Sequence, residues 1–245
     1  MGPKFAPAEF TPMEEAAEQK GHQVKGGAVR ELILGLQDGV VSNLGVVTGV
    51  AAAIPDPRVV LISGLAAVTA EAVSMFFSQY AASKSAREFR AKELALERTH
   101  LREFAGHERE ELREIYAAKG FKGKLLEDVV DTITKNPDVW LATMEREEMT
   151  WIPSEEPAPL RDAALVGGMA FVAGLVPVVP FALLPLALSV PTAIGLSVAT
   201  LFLAGAVMTR VTGRGWARSG FEMLLIGAVA SVIGFLVGTV LQAVP

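Results

Sequence analysis

The chain has 245 residues, of which 51% are hydrophobic and 20% charged, with a mean hydropathy of +0.40 and a formal net charge of −5. The charge is segregated, with 17 of the 27 acidic residues and 12 of the 22 basic ones between positions 85 and 160. This pattern excludes an ordinary soluble single-core domain, which carries about 25% charged residues, and also a disordered chain and a basic nucleic-acid binder. What remains is a polytopic membrane protein with one acidic, water-exposed insert. Cysteine is absent, so thiolate metal sites, disulfides and cysteine nucleophiles are out. The first 30 residues mix Glu, Lys and Pro with no apolar core. No secretory signal peptide is expected there, and the membrane address is expected from an internal span.

A helix needs about 20 mostly apolar residues to cross a hydrocarbon layer about 30 Å thick. Leu32–Ala53 meets that length, interrupted by Asp38, and so does Val59–Ser83, interrupted by Glu71. Ala163–Thr209 has no charge and is long enough for two spans, with Pro177, Pro180, Pro185 and Pro191 predicted to supply the turn between them. Gly220–Val244 makes a fifth, with Glu222 near its start beside Arg218. The predicted fold is therefore all-α, a polytopic membrane protein with five transmembrane helices. A helical, cytoplasmic insert, a candidate for metal binding, is expected between spans two and three. The expected organisation is a tail over 1–30, spans one and two over 31–84, the insert over 85–158 and spans three to five over 159–245.

Orientation follows from Lys and Arg in the short connections. Lys20, Lys25 and Arg30 precede the first span, and Arg210, Arg214 and Arg218 lie between the fourth and fifth. Only Arg58 lies between the first two. The amino terminus and the insert are expected in the cytoplasm. The insert reads as helical. No Gly or Pro occurs from Leu65 to Ala105, so the second span is predicted to continue unbroken into water, with Gly106 ending it. Further helices are predicted at about 108–119, 123–135 and 138–151, and Asn136-Pro137-Asp138 reads as a helix start.

A carboxylate at membrane depth costs a few kcal/mol on insertion scales, so Asp38 and Glu71 are functional candidates. Ser42 and Gly45 share the Asp38 face, and Gly35, Gly39 and Gly45 permit close approach of a helix or cavity. Glu71, Ser74, Met75 and Ser78 form one polar stripe on the second span. Carboxylates, hydroxyls and a thioether on one face suit a partly dehydrated divalent cation. The plainer alternative is a protonated Glu71 bonded to a neighbouring helix, with Met75 as packing.

In the insert, Glu93, Glu97 and His100 share one helical face, and the next helix repeats the spacing with His107, Glu111 and Glu114, beside Glu108. Like charges one turn apart are mildly destabilising, so segregated acidic faces make sense if a cation joins them. Met144 and Glu148, one turn apart, can complete such a site. This donor set suits Fe²⁺, Mn²⁺, Co²⁺ or Zn²⁺ better than Ca²⁺ or Mg²⁺. The alternative is a highly charged helical domain without metal.

Several segments resemble the vacuolar iron transporter family. In the first span they are Leu34-Gly35-Leu36-Gln37-Asp38-Gly39-Val40-Val41-Ser42 and Val47-Thr48-Gly49-Val50-Ala51-Ala52-Ala53. The second span contributes Ala72-Val73-Ser74-Met75 and Tyr80-Ala81-Ala82-Ser83-Lys84-Ser85. Gly174-Leu175-Val176-Pro177-Val178-Val179-Pro180-Phe181 follows in the third, and Thr212-Gly213-Arg214 through Ser219-Gly220 precedes the fifth. The resemblance runs over 22–244. It implies a homodimer in a lipid bilayer that exports Fe²⁺ or Mn²⁺ from the cytoplasm in exchange for protons, with no prosthetic group and no nucleic-acid partner. It places Asp38 and Met75 in the ion path, and metal in the insert on Glu97 with His100, Glu108 with Glu111, and Met144 with Glu148. Two departures stand out. His100 occupies a usual glutamate position, and the family's second-span glutamate falls on Ala67, with Glu71 one turn later as its candidate replacement. The implied membrane is vacuolar or a prokaryotic plasma membrane. Two other classes stay open: a passive divalent-cation channel gated by the insert, and a membrane-tethered ferroxidase suggested by Glu97-x2-His100, although a second such motif is lacking.

Overall fold

The structure is a computed structural model that describes residues 12–149, 156–212 and 215–242. In chain order the helices are α1 (Pro12–Ala53), α2 (Pro57–Glu103), α3 (Ala105–Ala118), α4 (Gly123–Thr134), α5 (Pro137–Glu147), α6 (Pro159–Leu183), α7 (Leu186–Thr212) and α8 (Trp216–Gln242). Five helices are long and apolar enough to cross a membrane, over Ala28–Ala53, Pro57–Glu103, Pro159–Leu183, Leu186–Thr209 and Trp216–Val240. Residues 150–151 of the third predicted insert helix, Gly213, Arg214 and the predicted span end at Val244 lie outside the described residues, as do the side chains of Lys20, Lys25 and Arg210. Two compact units result. Lys84–Pro157 forms one, and the described residues on either side of it form the other.

Within the membrane unit α1 packs against α6 on one side and α8 on the other, and glycine makes both contacts possible. A Cβ at Gly35 would lie 2.3 Å from the Val166 carbonyl oxygen of α6, and one at Gly39 would lie 2.4 Å from that of Ala170. Against α8, a Cβ at Gly234 would meet the Gly45 oxygen at 2.4 Å, and one at Gly238 the Gly49 oxygen at 2.1 Å. Small residues let backbones approach where lipid offers no hydrophobic drive between helices. Val47 of α1, Val60 and Val68 of α2, and Val178 and Phe181 of α6 close a dry cluster beside these contacts. Because the obstacle at Gly238 is backbone, Gly238→Ala is expected to destabilise by about 1–3 kcal/mol, the usual cost of overpacking. Thermal unfolding in detergent checks this, with Gly195→Ala, where a Cβ meets nothing within 4 Å, as the unaffected control.

The proline reading needs correction. Pro177 and Pro180 lie inside α6 and Pro191 inside α7, so the turn falls at Leu184-Pro185 alone. At that turn the Ser189 Oγ lies 2.9, 3.0 and 3.2 Å from the Leu184, Pro185 and Pro180 oxygens, and its single hydrogen serves one of them at a time. The amino-terminal segment also differs from a separate tail, since α1 is already helical from Pro12.

In the insert unit, α2 stops at Glu103, three residues before Gly106, which instead opens the first turn of α3 with open space around it. The break is at Phe104 (φ −124°, ψ 32°), whose ring packs edge-on against His100. The α3–α4 connection uses Gly120 and Gly123 at φ 101° and 58°, a region that favours glycine. Asn136 caps α5 as read, its side-chain oxygen accepting from the Asp138 N–H at 3.0 Å with Pro137 in the first turn. Leu112, Leu126, Val130, Trp140 and Met144 make the insert's core.

Candidate functional site

The membrane candidates come from facing stretches of α1 and α2. Helical spacing puts Asp38 and Ser42 one turn apart on α1, and Glu71 and Met75 one turn apart on α2. The fold brings the two stretches together, with Ser42 and the Asp38 charge close enough to Glu71 to act on it. Asp38, Ser42 and Ser74 are exposed on the single chain, whereas Glu71 and Met75 are half-buried. Among the described residues, no hydrogen bond joins Ser74 or Met75 to this group. Glu222 lies elsewhere, in the first turns of α8, with Arg218 Nε 3.2 Å from its Oε1.

One residue of this group was missed in the sequence. Asn43 is 0% exposed, and its Nδ2 donates both to Glu71 Oε2 and, at 2.9 Å, to the Gly39 carbonyl. An amide inside an apolar run was the available signal, but pairing it with Glu71 requires the register of α1 against α2. The glycine at 174 leaves its space, since a Cβ there would lie 2.8 Å from Asn43 Nδ2.

The insert gathers a second group. Glu97 and Glu108 are each 4% exposed, and Glu97 Oε1 and Glu108 Oε2 are buried without a hydrogen-bond partner among the described residues. Burial pushes the Glu97 carboxyl up to about 7, helped by the charges of Glu108, Glu148 and Glu111 and by a carboxyl contact with Glu108. Glu148 is also raised, first by burial and then by Glu111 and Glu108, with His100 opposing. His100 Nδ1 stands 3.6 Å from Glu108 Oε1. Glu93, half-buried one turn before Glu97, is not among the charges acting on it, and His107 and Glu114 are exposed. Met144 is fully buried in the insert's core one turn before Glu148.

Arginines of the insert are engaged with other acids. Arg90 meets Glu145 at 2.6 Å, Arg109 meets Asp131 at 2.6 Å, and Arg113 meets Glu127 at 2.8 Å. The Glu97–Glu108–Glu111–Glu148 group is thus a concentration of negative charge with an imidazole at its side. Among the described residues, no three His, Asp or Glu side chains converge closely enough to hold a metal as they stand. A cation arriving there has to draw the carboxylates inward.

The fold and these two carboxylate groups define a class: an all-helical membrane protein with five candidate spans, carboxylates at membrane depth and an acidic helical insert. The chain belongs to the VIT family, whose sequence pattern matches residues 29–239. It is 32% identical over 225 residues to vacuolar iron transporter 1 of Arabidopsis thaliana, covering 90% of this chain and 89% of that protein. Vacuolar iron transporter 2 of Oryza sativa subsp. japonica is 31% identical over 91% of each chain. The vacuolar iron transporter of Plasmodium falciparum is 25% identical over 91% of this chain and 85% of its own. These relatives are transporters by name, not enzymes.

Proposed function

We propose that the protein is a transporter that moves Fe²⁺ out of the cytoplasm in exchange for protons, with Mn²⁺ as a second substrate. The observation that carries this reading is a pair of carboxylates on two adjoining membrane helices, Asp38 on α1 and Glu71 on α2, tied by the Asn43–Glu71 hydrogen bond, with Asp38 and Ser42 left exposed on the single chain. A carboxylate facing lipid is costly, so a homodimer that covers this face and encloses a polar path accounts for the exposure. In that path Asp38, Glu71 and Met75, with Ser42 and Ser74 beside them, bind the partly dehydrated ion. The insert gathers cations on Glu97, His100, Glu108, Glu111, Met144 and Glu148, with Glu93 at the edge. Its donor set also accepts Zn²⁺ and Co²⁺. The amino terminus and insert face the cytoplasm, in keeping with the basic residues around them, in a vacuolar or prokaryotic plasma membrane. Proton coupling follows from competition, since a proton and a cation cannot both neutralise the same carboxylate.

The test is Fe²⁺ and Mn²⁺ uptake into proteoliposomes with and without a pH gradient. Uptake driven by the gradient, with protons appearing on the opposite side, is expected. Uptake indifferent to the gradient would instead make the protein a passive channel.

A further inference from the structure

The membrane unit contains a buried amide that a path lined by carboxylates does not require. Asn43 is fully buried, one turn after Gly39 on α1. Its Nδ2 serves two acceptors at once, the Gly39 carbonyl at 2.9 Å and Glu71 Oε2. The first contact decides which way round the amide stands. A backbone carbonyl only accepts, so a flipped amide would set Oδ1 against the Gly39 oxygen. The second contact then commits Glu71 Oε2 to a donor on α1. Asn43 Oδ1 is meanwhile buried with no partner among the described residues, a cost the fold carries to keep the amide in place. The socket is built for it: a Cβ on Gly174 of α6 would come within 2.8 Å of Nδ2, and Val68 of α2 lies against the same glycine.

We propose that Asn43 is a positioning residue for the transported ion. By holding Glu71 Oε2 it fixes the orientation of that carboxylate, on which Asp38 and Ser42 of the same helix also act. A carboxylate held in one orientation before the ion arrives loses less rotational freedom when it binds, which raises affinity without adding a ligand. The inference rests on the ion path proposed above and adds to it a residue that need not touch the ion.

Its test is Fe²⁺ uptake into proteoliposomes as a function of Fe²⁺ concentration, for wild type, Asn43→Leu and Asp38→Asn. Leu has the branching of Asn and the same number of side-chain heavy atoms, so it removes the donor and acceptor, but its methyl groups are bulkier than the amide. Asn43→Leu is expected to raise the half-saturating Fe²⁺ concentration about tenfold, as for loss of one hydrogen bond to a charged group, with the maximal rate per folded transporter far less changed. A half-saturating concentration equal to wild type would overturn the proposal, whatever happens to protein yield or melting temperature, and leave Asn43 as a tie between α1 and α2. Uptake unaltered by Asp38→Asn would remove the ion path, and this inference with it. If Asn43→Leu does not fold, Gly174→Ala keeps the amide but crowds Nδ2, and the same shift in half-saturation is expected of it.

Discussion

Asp38→Ala is expected to cut Fe²⁺ uptake into proteoliposomes at least a hundredfold, while the protein still folds. A cation at membrane depth has given up part of its water shell, and the path must repay it with fixed negative charge. Removing one partner of a desolvated charge pair costs about 3–5 kcal/mol, which corresponds to a factor of about a hundred or more in binding. Asp38 is exposed on the single chain and helps only if an ion or another charge meets it. Its removal therefore relieves the cost of holding a carboxylate in the membrane. Melting temperature in detergent is accordingly expected to stay the same or rise, for Asp38→Asn as well. Uptake within twofold of wild type in either variant would refute the role of Asp38 in the path.

Metal binding by the insert is expected to strengthen about tenfold per pH unit as pH rises toward 7, then level off, because one proton leaves for each ion bound. The carboxyl responsible is Glu97, raised from 4.5 to about 7 by burial and by its acidic neighbours. The sign for folding is the opposite. Between those two values the folded insert holds a proton that the unfolded chain has released. Stability from this group is therefore full below about pH 4.5 and is lost as pH rises through about 7, up to about 3 kcal/mol in all. Glu97→Gln separates the two effects. It should stabilise the metal-free protein at pH 8, since a neutral amide can donate to Glu108 where a second carboxylate repels it. It should also weaken the pH dependence of Mn²⁺ binding, leaving the part carried by Glu148. Calorimetric titration of the full chain in an Asp38→Asn background, with thermal unfolding alongside, reads both. Metal affinity independent of pH from 5 to 8 would show that Glu97 is not a ligand.

Most of the architecture was legible in the sequence because hydropathy, length and charge are local properties. A run of 20 or so apolar residues has few places to go but a bilayer. Leu32–Ala53 and Val59–Ser83 accordingly fall inside α1 and α2, and the acidic block became a separate helical unit over Lys84–Pro157. The glycines of the first span were recognised as points of close approach; only the packing could say that Gly35 and Gly39 admit α6 while Gly45 and Gly49 admit α8. The prolines misled because a helix turn was assigned by residue type alone. Pro177, Pro180 and Pro191 remain helical, and Pro185 alone sits at the turn.

The candidate sites divide the same way. Asp38 and Glu71 stand out in any reading, because a charge within an apolar run is improbable without a task, and the Glu and His of the insert stand out by their spacing. How deeply each carboxylate is buried, and what it meets, depends on helices brought together from distant parts of the chain. Glu97 and Glu108 end up buried side by side and Glu93 does not join them; Met144 sits in the insert's core; Asn43, an ordinary amide in the sequence, becomes the partner of Glu71. The sequence by itself determined which segments enter the membrane and which residue types carry charge there, since these follow from transfer free energies residue by residue. The tertiary structure alone decided which of those groups meet, because burial and hydrogen bonding are properties of pairs of helices and their register.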